Sequence, residues 1–138
     1  MKQITLFLIA LAAAICSSDA ASSNSVWAAI SAGKPIFVAG KDEVEITFAA
    51  VNDTKLPVRY ALIRDEGVLV INGQELRDSS SIFGNGPHSS EEFLQPGKTC
   101  LFGYRLTDHF RKPGDYEVIW RGRGFQTKPI AFRVVEAR

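Results

Sequence analysis

The residues best suited to molecular recognition lie near the C-terminus, in the stretch Arg121-Gly122-Arg123-Gly124-Phe125. Two guanidinium groups can donate paired hydrogen bonds to carboxylates or phosphates, and the glycines allow the backbone to turn between them. We therefore predict that Arg121, Arg123 and Phe125 form a binding site for another protein or a cell-surface polymer. The competing interpretation, which is slightly favoured, is structural: the glycines make the turn, the arginines keep the edge soluble and Phe125 packs inward.

A second candidate is the apolar pair Ile82-Phe83, which lies inside the polar, Gly- and Ser-rich segment 77–91. Loops of this length in a compact domain are usually functional or disordered. The pair could pack back onto the domain as an anchor, which is the favoured interpretation, or it could be offered to a partner. Because the second possibility stays open, Ile82 and Phe83 are included among the predicted binding residues.

Catalytic and metal-binding constellations are weak. Serines near Ser79 and Ser89 could be combined with His88, His109 and Asp108, but there is no Gly-x-Ser-x-Gly elbow to hold a nucleophile. The candidate metal ligands are His88, His109 and Cys100, and no two of them have the spacing of a ligand pair. We predict a protein that is not an enzyme and that has no cofactor and no metal.

The first 20 residues have the pattern of a secretory signal peptide: Lys2, the apolar stretch Ile4–Cys16 and the small-x-small site Ser18-Asp19-Ala20. The apolar stretch is too short to span a bilayer. Lipid attachment at Cys16 is disfavoured because Ile15 stands where a small residue is usual. The prediction is a secreted or periplasmic protein whose mature form contains a single cysteine and no internal disulfide.

Composition restricts the remaining options. The chain of 138 residues suits one domain, and its net charge of +1 argues against binding of nucleic acid by the whole surface. We predict a monomer in which residues 33–138 form the domain. Residues 21–32 are predicted to be an N-terminal tether or a first edge strand.

Alternating apolar residues predict short strands throughout this domain. Asn72-Gly73 is typical of a type I′ hairpin turn, and Asn52-Asp53-Thr54 matches a glycosylation sequon of the eukaryotic secretory pathway. Cys100 is expected to be a small buried hydrophobe. The clearest predicted strands are Val44–Val51, Leu56–Arg64, Val68–Leu76 with its hairpin, Lys98–Leu106, a strand containing Tyr116, Val118 and Trp120, and a last strand containing Ile130, Phe132 and Val134.

The connection before the Tyr116 strand contains the lone apolar residue Phe110 and the turn Pro113-Gly114. A Tyr two residues after a Gly at a strand entrance resembles the tyrosine corner of immunoglobulin-like sandwiches, in which the ring enters the core and the hydroxyl reaches backbone. The predicted fold is therefore all-β: an immunoglobulin-like antiparallel β-sandwich of seven to eight strands. Val118 stands where the second core cysteine of true immunoglobulin domains would be.

Three blocks together resemble secreted bacterial Ig-like domains and are similar to peptidase-inhibitor domains of the BsuPI type. They are Gly33–Phe37 leading to a strand that ends in Asn52, the turn Leu94-Gln95-Pro96-Gly97, and Pro113-Gly114-Asp115-Tyr116-Glu117-Val118. These are turn and core residues, so the resemblance is more informative about architecture than about function. The predicted function is a non-catalytic extracytoplasmic module that binds through loops at one end of the sandwich. The alternative that the resemblance implies is a peptidase inhibitor.

Overall fold

The computed structural model describes residues 25–77, 79 and 92–138, and the protein is an all-β sandwich as predicted. The described residues contain eleven strands, more than the predicted seven to eight, because four of them are two-residue ladders too short to produce an alternating pattern. The elements are β1 (Val26–Ser31), β2 (Ile36–Val38), β3 (Glu45–Asn52), β4 (Val58–Arg59), α1 (Tyr60–Arg64), β5 (Val68–Ile71), β6 (Gln74–Glu75), β7 (Phe93–Leu94), β8 (Thr99–Arg105), a 3-10 helix (Thr107–Phe110), β9 (Gly114–Gly122), β10 (Phe125–Gln126) and β11 (Ile130–Val135).

The strands form two main sheets. One has three strands in the order β1-β3-β8, and the other has six strands, in the order β2-β11-β9-β5-β6 with β10 paired to β9. All pairs are antiparallel except β2 with β11. The two orders correspond to the A-B-E and G-F-C strands of immunoglobulin-like sandwiches, with β2 and β6 as added edge strands. Of the two alternatives for the N-terminal segment, the part from Val26 onward is an edge strand.

The core lies between the two sheets and is rich in aromatic residues. Trp120 on β9 is fully buried, and its ring centroid lies 5.2 Å from that of Phe48 on β3 in an edge-to-face arrangement. Phe102 on β8 lies 5.6 Å from the same indole. Edge-to-face aromatic contacts add stability beyond their buried area. Here they join β9 of one sheet to β3 and β8 of the other.

The Asn72-Gly73 hairpin is confirmed. Asn72 and Gly73 have φ angles of 49° and 78°, the positive values that a type I′ turn requires. The Asn72 side chain also accepts a hydrogen bond from the Glu117 N–H at 2.8 Å. The turn is therefore attached to the neighbouring strand β9.

The prediction of one strand over Leu56–Arg64 is wrong beyond Arg59. Residues Tyr60–Arg64 form a short helix, in which Ile63 and Arg64 are buried and Tyr60 is half-buried. The spacing of these three residues places them on one helical face. Val58, Tyr60 and Leu62 happen to alternate as well, and a segment this short fits both periods, so packing decides between them.

The tyrosine corner is present. The Tyr116 hydroxyl donates a hydrogen bond to the Lys112 carbonyl oxygen at 2.7 Å, and its ring lies 5.0 Å from that of Phe110 and 5.7 Å from that of Phe132. The side chain is half-buried rather than fully enclosed, because the hydroxyl extends to the surface. The contact attaches the connection after β8 to the start of β9.

Asn52 is a buried polar residue at the end of β3. Its side-chain amide donates to the carbonyl oxygens of Leu56 and Leu94, both at 2.8 Å, and its side-chain oxygen accepts from Thr54. The residue has 0% exposure. The sequon is therefore explained by a structural asparagine that joins two turns, and in the folded protein it offers no accessible amide.

Candidate functional site

The Arg-rich stretch forms a tight hairpin tip, as predicted. β9 ends at Gly122, β10 begins at Phe125, and these two residues are paired, so only Arg123 and Gly124 lie in the loop. Gly124 has a φ of 79°, a conformation that side-chain-bearing residues rarely adopt. The tip therefore projects from the end of β9 as a short, constrained turn.

Phe125 does not take part in a surface site, and this corrects the prediction for that residue. It is 8% exposed, and its ring lies 4.7 Å from the Trp120 ring in an edge-to-face contact. The ring also covers Gly122 so closely that a Cβ atom there would overlap it. Burying the ring removes apolar surface from water, so the aromatic component anchors the tip instead of facing a ligand.

The two arginines are exposed, but each faces a glutamate. Arg121 forms an ion pair with Glu75 on β6, and its side chain is 44% exposed. Arg123 lies 3.5 Å from the Glu66 carboxylate, and its side chain is 74% exposed. We call these four residues the hairpin-end cluster. It contains two positive and two negative side chains, which lie on β9 and the turn after it, on β6, and on the loop before β5.

The loop that carries Glu66 is held by a buried cation. Arg64, at the end of α1, donates to the Asp65 carboxylate at 2.7 Å, and its side chain is 9% exposed. This hydrogen bond to Asp65 raises the pKa of the Arg64 guanidinium, which stays charged. Gly67 follows, and a Cβ atom there would overlap the Trp120 indole nitrogen. Glu66 therefore lies on a loop that is fixed on both sides.

Exposed ion pairs of this kind contribute little stability, because solvent screens them and the side chains lose entropy when they are fixed. Their partners can be exchanged for groups on another molecule at small cost. The cluster offers donors and acceptors side by side, with a net formal charge of zero. Such a surface is chemically suited to bind a surface that also carries both signs of charge.

A cleft of about 530 Å³ lies between the β2–β3 turn and the 3-10 helix. Its apolar wall includes Phe37 and Phe110, and its rim includes Asp42 and Asp108. A hydrogen bond from Lys34 holds the pKa of Asp42 below its usual range, and Arg111 lowers the pKa of Asp108 in the same way. These carboxylates are ionised and already paired, so neither is suited to act as a proton donor near neutral pH.

The groups considered for catalysis are not assembled into a site within the described residues. The Ser79 hydroxyl accepts from the Leu69 N–H and donates to the Leu76 carbonyl oxygen, so it is occupied by backbone. Burial raises the pKa of the Cys100 thiol, which opposes thiolate formation, and the expected burial of this residue is confirmed. No group of three or more His, Cys, Asp or Glu in the described part of the chain could hold a metal ion.

Several predicted features lie outside the described residues: the signal peptide with Cys16, the binding candidates Ile82 and Phe83, and His88 with the serines around it. Within the described part of the chain, no helix has both the length and the apolar character needed to cross a membrane.

The glutamates of the cluster were missed by the sequence analysis. Glu75 could have been found, because the Asn72-Gly73 turn places it on the strand beside β5, which pairs with β9. Glu66 gives no such signal. Its contact with Arg123 depends on the short helix α1 and the turn after it, which the sequence pattern presented as a strand.

Comparison with models of known protein families found no match. A search of curated proteins likewise found no relative of this chain.

Proposed function

We propose that the protein is a non-catalytic, extracytoplasmic binding module that contacts another protein through the hairpin-end cluster. The observation that carries the proposal is the rigid exposure of Arg123: its side chain is 74% exposed on a two-residue turn. The turn is anchored by the buried ring of Phe125. A constrained turn loses little backbone entropy when a partner is bound, so the entropy cost of binding is confined mainly to the side chains.

The charge pattern favours a protein partner over an anionic surface polymer. Glu66 and Glu75 lie beside the two arginines and would repel a polyanion as strongly as the arginines attract it. A protein surface can present an acidic group to Arg123 and a basic group to Glu66 at the same time. Complementary charges of this kind contribute mainly to specificity and to the rate of association.

The test is affinity capture with the purified protein and its Arg121→Ala/Arg123→Ala variant. We expect the variant to fold normally, because each substitution removes an exposed ion pair worth about 0–1 kcal/mol. It should lose the partners that the wild type captures. The matched control is Arg111→Ala/Arg133→Ala, which removes two exposed, ion-paired arginines from the far end of β9 and should retain every partner.

Retention of all partners by Arg121→Ala/Arg123→Ala would remove the hairpin end from the proposal. Capture of an anionic polysaccharide that the variant loses would replace the protein partner by a polymer. Inhibition of any enzyme in a panel of purified proteases would favour the inhibitor function that the sequence resemblance implies.

The extracytoplasmic location rests on the N-terminal sequence pattern. Expression of the full chain with a C-terminal tag should give a mature form that begins near Ala21, detected by N-terminal sequencing of the exported fraction. An uncleaved chain that stays in the cytoplasm would contradict this part of the proposal.

A further inference from the structure

We infer that β8 is a pairing edge at which two copies of this chain join their three-stranded sheets into one sheet of six strands. This goes beyond the proposed function and does not depend on the hairpin-end cluster. β8 is the last strand in the order β1-β3-β8, and its seven residues make it longer than the other edge strands of the described residues. It also revises the expectation of a monomer.

The direction of the β8 backbone groups follows from its register with β3. The Leu106 N–H donates to the Val44 carbonyl oxygen, and the Asn52 N–H donates to the Lys98 carbonyl oxygen. Successive residues of an antiparallel strand point their backbone groups to alternate sides. With the observed pairing of β3 and β8, the even-numbered residues of β8 therefore bond to β3. The N–H and C=O groups of the odd-numbered residues point away from it, along the outer edge: Thr99, Leu101, Gly103 and Arg105.

Within the described residues, this edge has little of the usual protection against pairing. Natural edge strands are made very short or carry proline, lysine or a bulge. In the described residues, β2 has three residues and follows Pro35, and β6 has two residues, whereas β1 and β8, the two edges of the three-stranded sheet, have six and seven residues. β8 has no proline or lysine, its one charged residue, Arg105, is its last residue, and the exposed hydrophobic Leu101 lies near its centre with 45% exposure.

A second copy fits this edge because the strand is complementary to itself. In an antiparallel pair centred on Phe102, Leu101 lies opposite Gly103 of the other copy, and Thr99 lies opposite Arg105. All four outward residues of both copies are then paired, and each bulky or charged side chain faces a small or neutral one. A shift of two residues in either direction leaves an outward residue unpaired at each end. The arrangement has the two-fold symmetry of a closed dimer.

The first experiment measures association of the full-length protein by sedimentation velocity over a range of concentrations. We expect a monomer–dimer equilibrium that the substitution Leu101→Lys weakens by about tenfold or more, because it places charge at the centre of the pair. The matched control is Leu56→Lys, a change of the same chemistry at a residue that is 72% exposed and lies outside β8, between β3 and β4. It should dimerise like the wild type.

The second experiment tests the register with two single-cysteine additions, Leu101→Cys and Gly103→Cys. Directly opposed residues in a hydrogen-bonded pair have Cα atoms about 5.5 Å apart, within reach of a disulfide, whereas diagonal neighbours about 7–8 Å apart are not. An oxidised mixture of the two variants should therefore cross-link much more than either variant alone. The new side chain at Gly103 meets the Glu45 carboxylate, the mobile end of an exposed side chain.

A protein that sediments as a monomer at every concentration would overturn the inference. A dimer that is equally stable in Leu101→Lys and Leu56→Lys, or cysteine variants that cross-link equally well alone and mixed, would place the contact elsewhere and overturn it too. The variant Arg121→Ala/Arg123→Ala should lose its partners but dimerise like the wild type. That result would show that this inference and the proposed function are independent.

Discussion

An aromatic side chain anchors each end of β9. One of them, Tyr116, reaches the surface, and the other, Phe125, is buried. At the corner end, which contains Phe110 and the start of β9, the Tyr116 ring packs on Phe110 while its hydroxyl reaches the surface backbone. At the hairpin end, the Phe125 ring is buried against Trp120 and only the arginines are exposed. Both ends thus combine glycine, an aromatic ring and charged residues. At the corner end the ring also holds the connection by a hydrogen bond, whereas at the hairpin end the buried ring supports a turn with exposed arginines.

The difference comes from the polar atom that the tyrosine carries. A buried hydroxyl needs a hydrogen-bond partner, so Tyr116 must stay near the surface, where the Lys112 carbonyl oxygen is available. Phe125 has no such requirement and can enter the core completely. The two ends should therefore respond differently to substitution.

The largest effect is expected from Phe125→Ala. Removing a buried phenylalanine ring costs about 3–5 kcal/mol in free energy of unfolding, which is large for a domain of this size. Urea denaturation of the variant measures it. Leu56→Ala, at an exposed position, should change stability by no more than about 0.5 kcal/mol. A loss below about 1 kcal/mol for Phe125→Ala would contradict the burial of this ring.

Gly122→Ala should destabilise the protein by about 1–3 kcal/mol, because its new Cβ atom would overlap the Phe125 ring. The same substitution in a Phe125→Leu background should cost clearly less, since the obstructing ring is absent there. A double-mutant cycle in urea measures this coupling. Additive effects would show that the ring and Gly122 do not interact.

A smaller loss, about 1 kcal/mol, is expected for Tyr116→Phe at the corner end. The change removes one hydrogen bond to backbone and leaves the ring contacts with Phe110 and Phe132 in place. Thermal and urea unfolding both report the change. A loss as large as that of Phe125→Ala would mean that the hydroxyl, rather than the ring, holds this end together.

The smallest expected effect is a pH dependence of the free energy of unfolding, which arises from carboxyl groups near the corner end. Asp42, Asp108 and Asp115 have pKa values lowered by hydrogen bonds from Lys34, Arg111 and Arg133, respectively. A carboxyl whose pKa is lowered by folding stabilises the protein above its unfolded pKa, and this contribution is lost as the pH falls through its folded pKa. The wild type should therefore be more stable than Asp42→Asn/Asp108→Asn/Asp115→Asn near neutral pH.

The stability gap between the two proteins should begin to close as the pH falls below about 4, the ordinary pKa of an aspartate, and should vanish below the folded pKa values. Urea unfolding at a series of pH values measures it. Added salt should narrow the gap at neutral pH, because these exposed pairs are screened. A gap that stayed constant down to pH 2 would show that ionisation of these carboxyls is not its source.

The sequence was most informative where chemistry is local. The Asn72-Gly73 turn, the hairpin at Arg123-Gly124 and the Tyr116 corner could all be predicted, because each depends on the conformational preference or spacing of neighbouring residues. The short strands and α1 were not predicted correctly. Segments of two to five residues have no reliable periodicity, and their conformation depends on what they pack against.

For the candidate site, the sequence alone established that two arginines and an aromatic residue lie within residues 121–125, around one turn. It could not establish which way Phe125 points, because burial of that ring requires Trp120 on the neighbouring strand and an open space above Gly122. Only the tertiary structure paired Arg121 with Glu75 and Arg123 with Glu66, and only the sheet order made β8 an edge strand among the described residues. These features depend on contacts between segments distant in the chain, which local spacing does not encode.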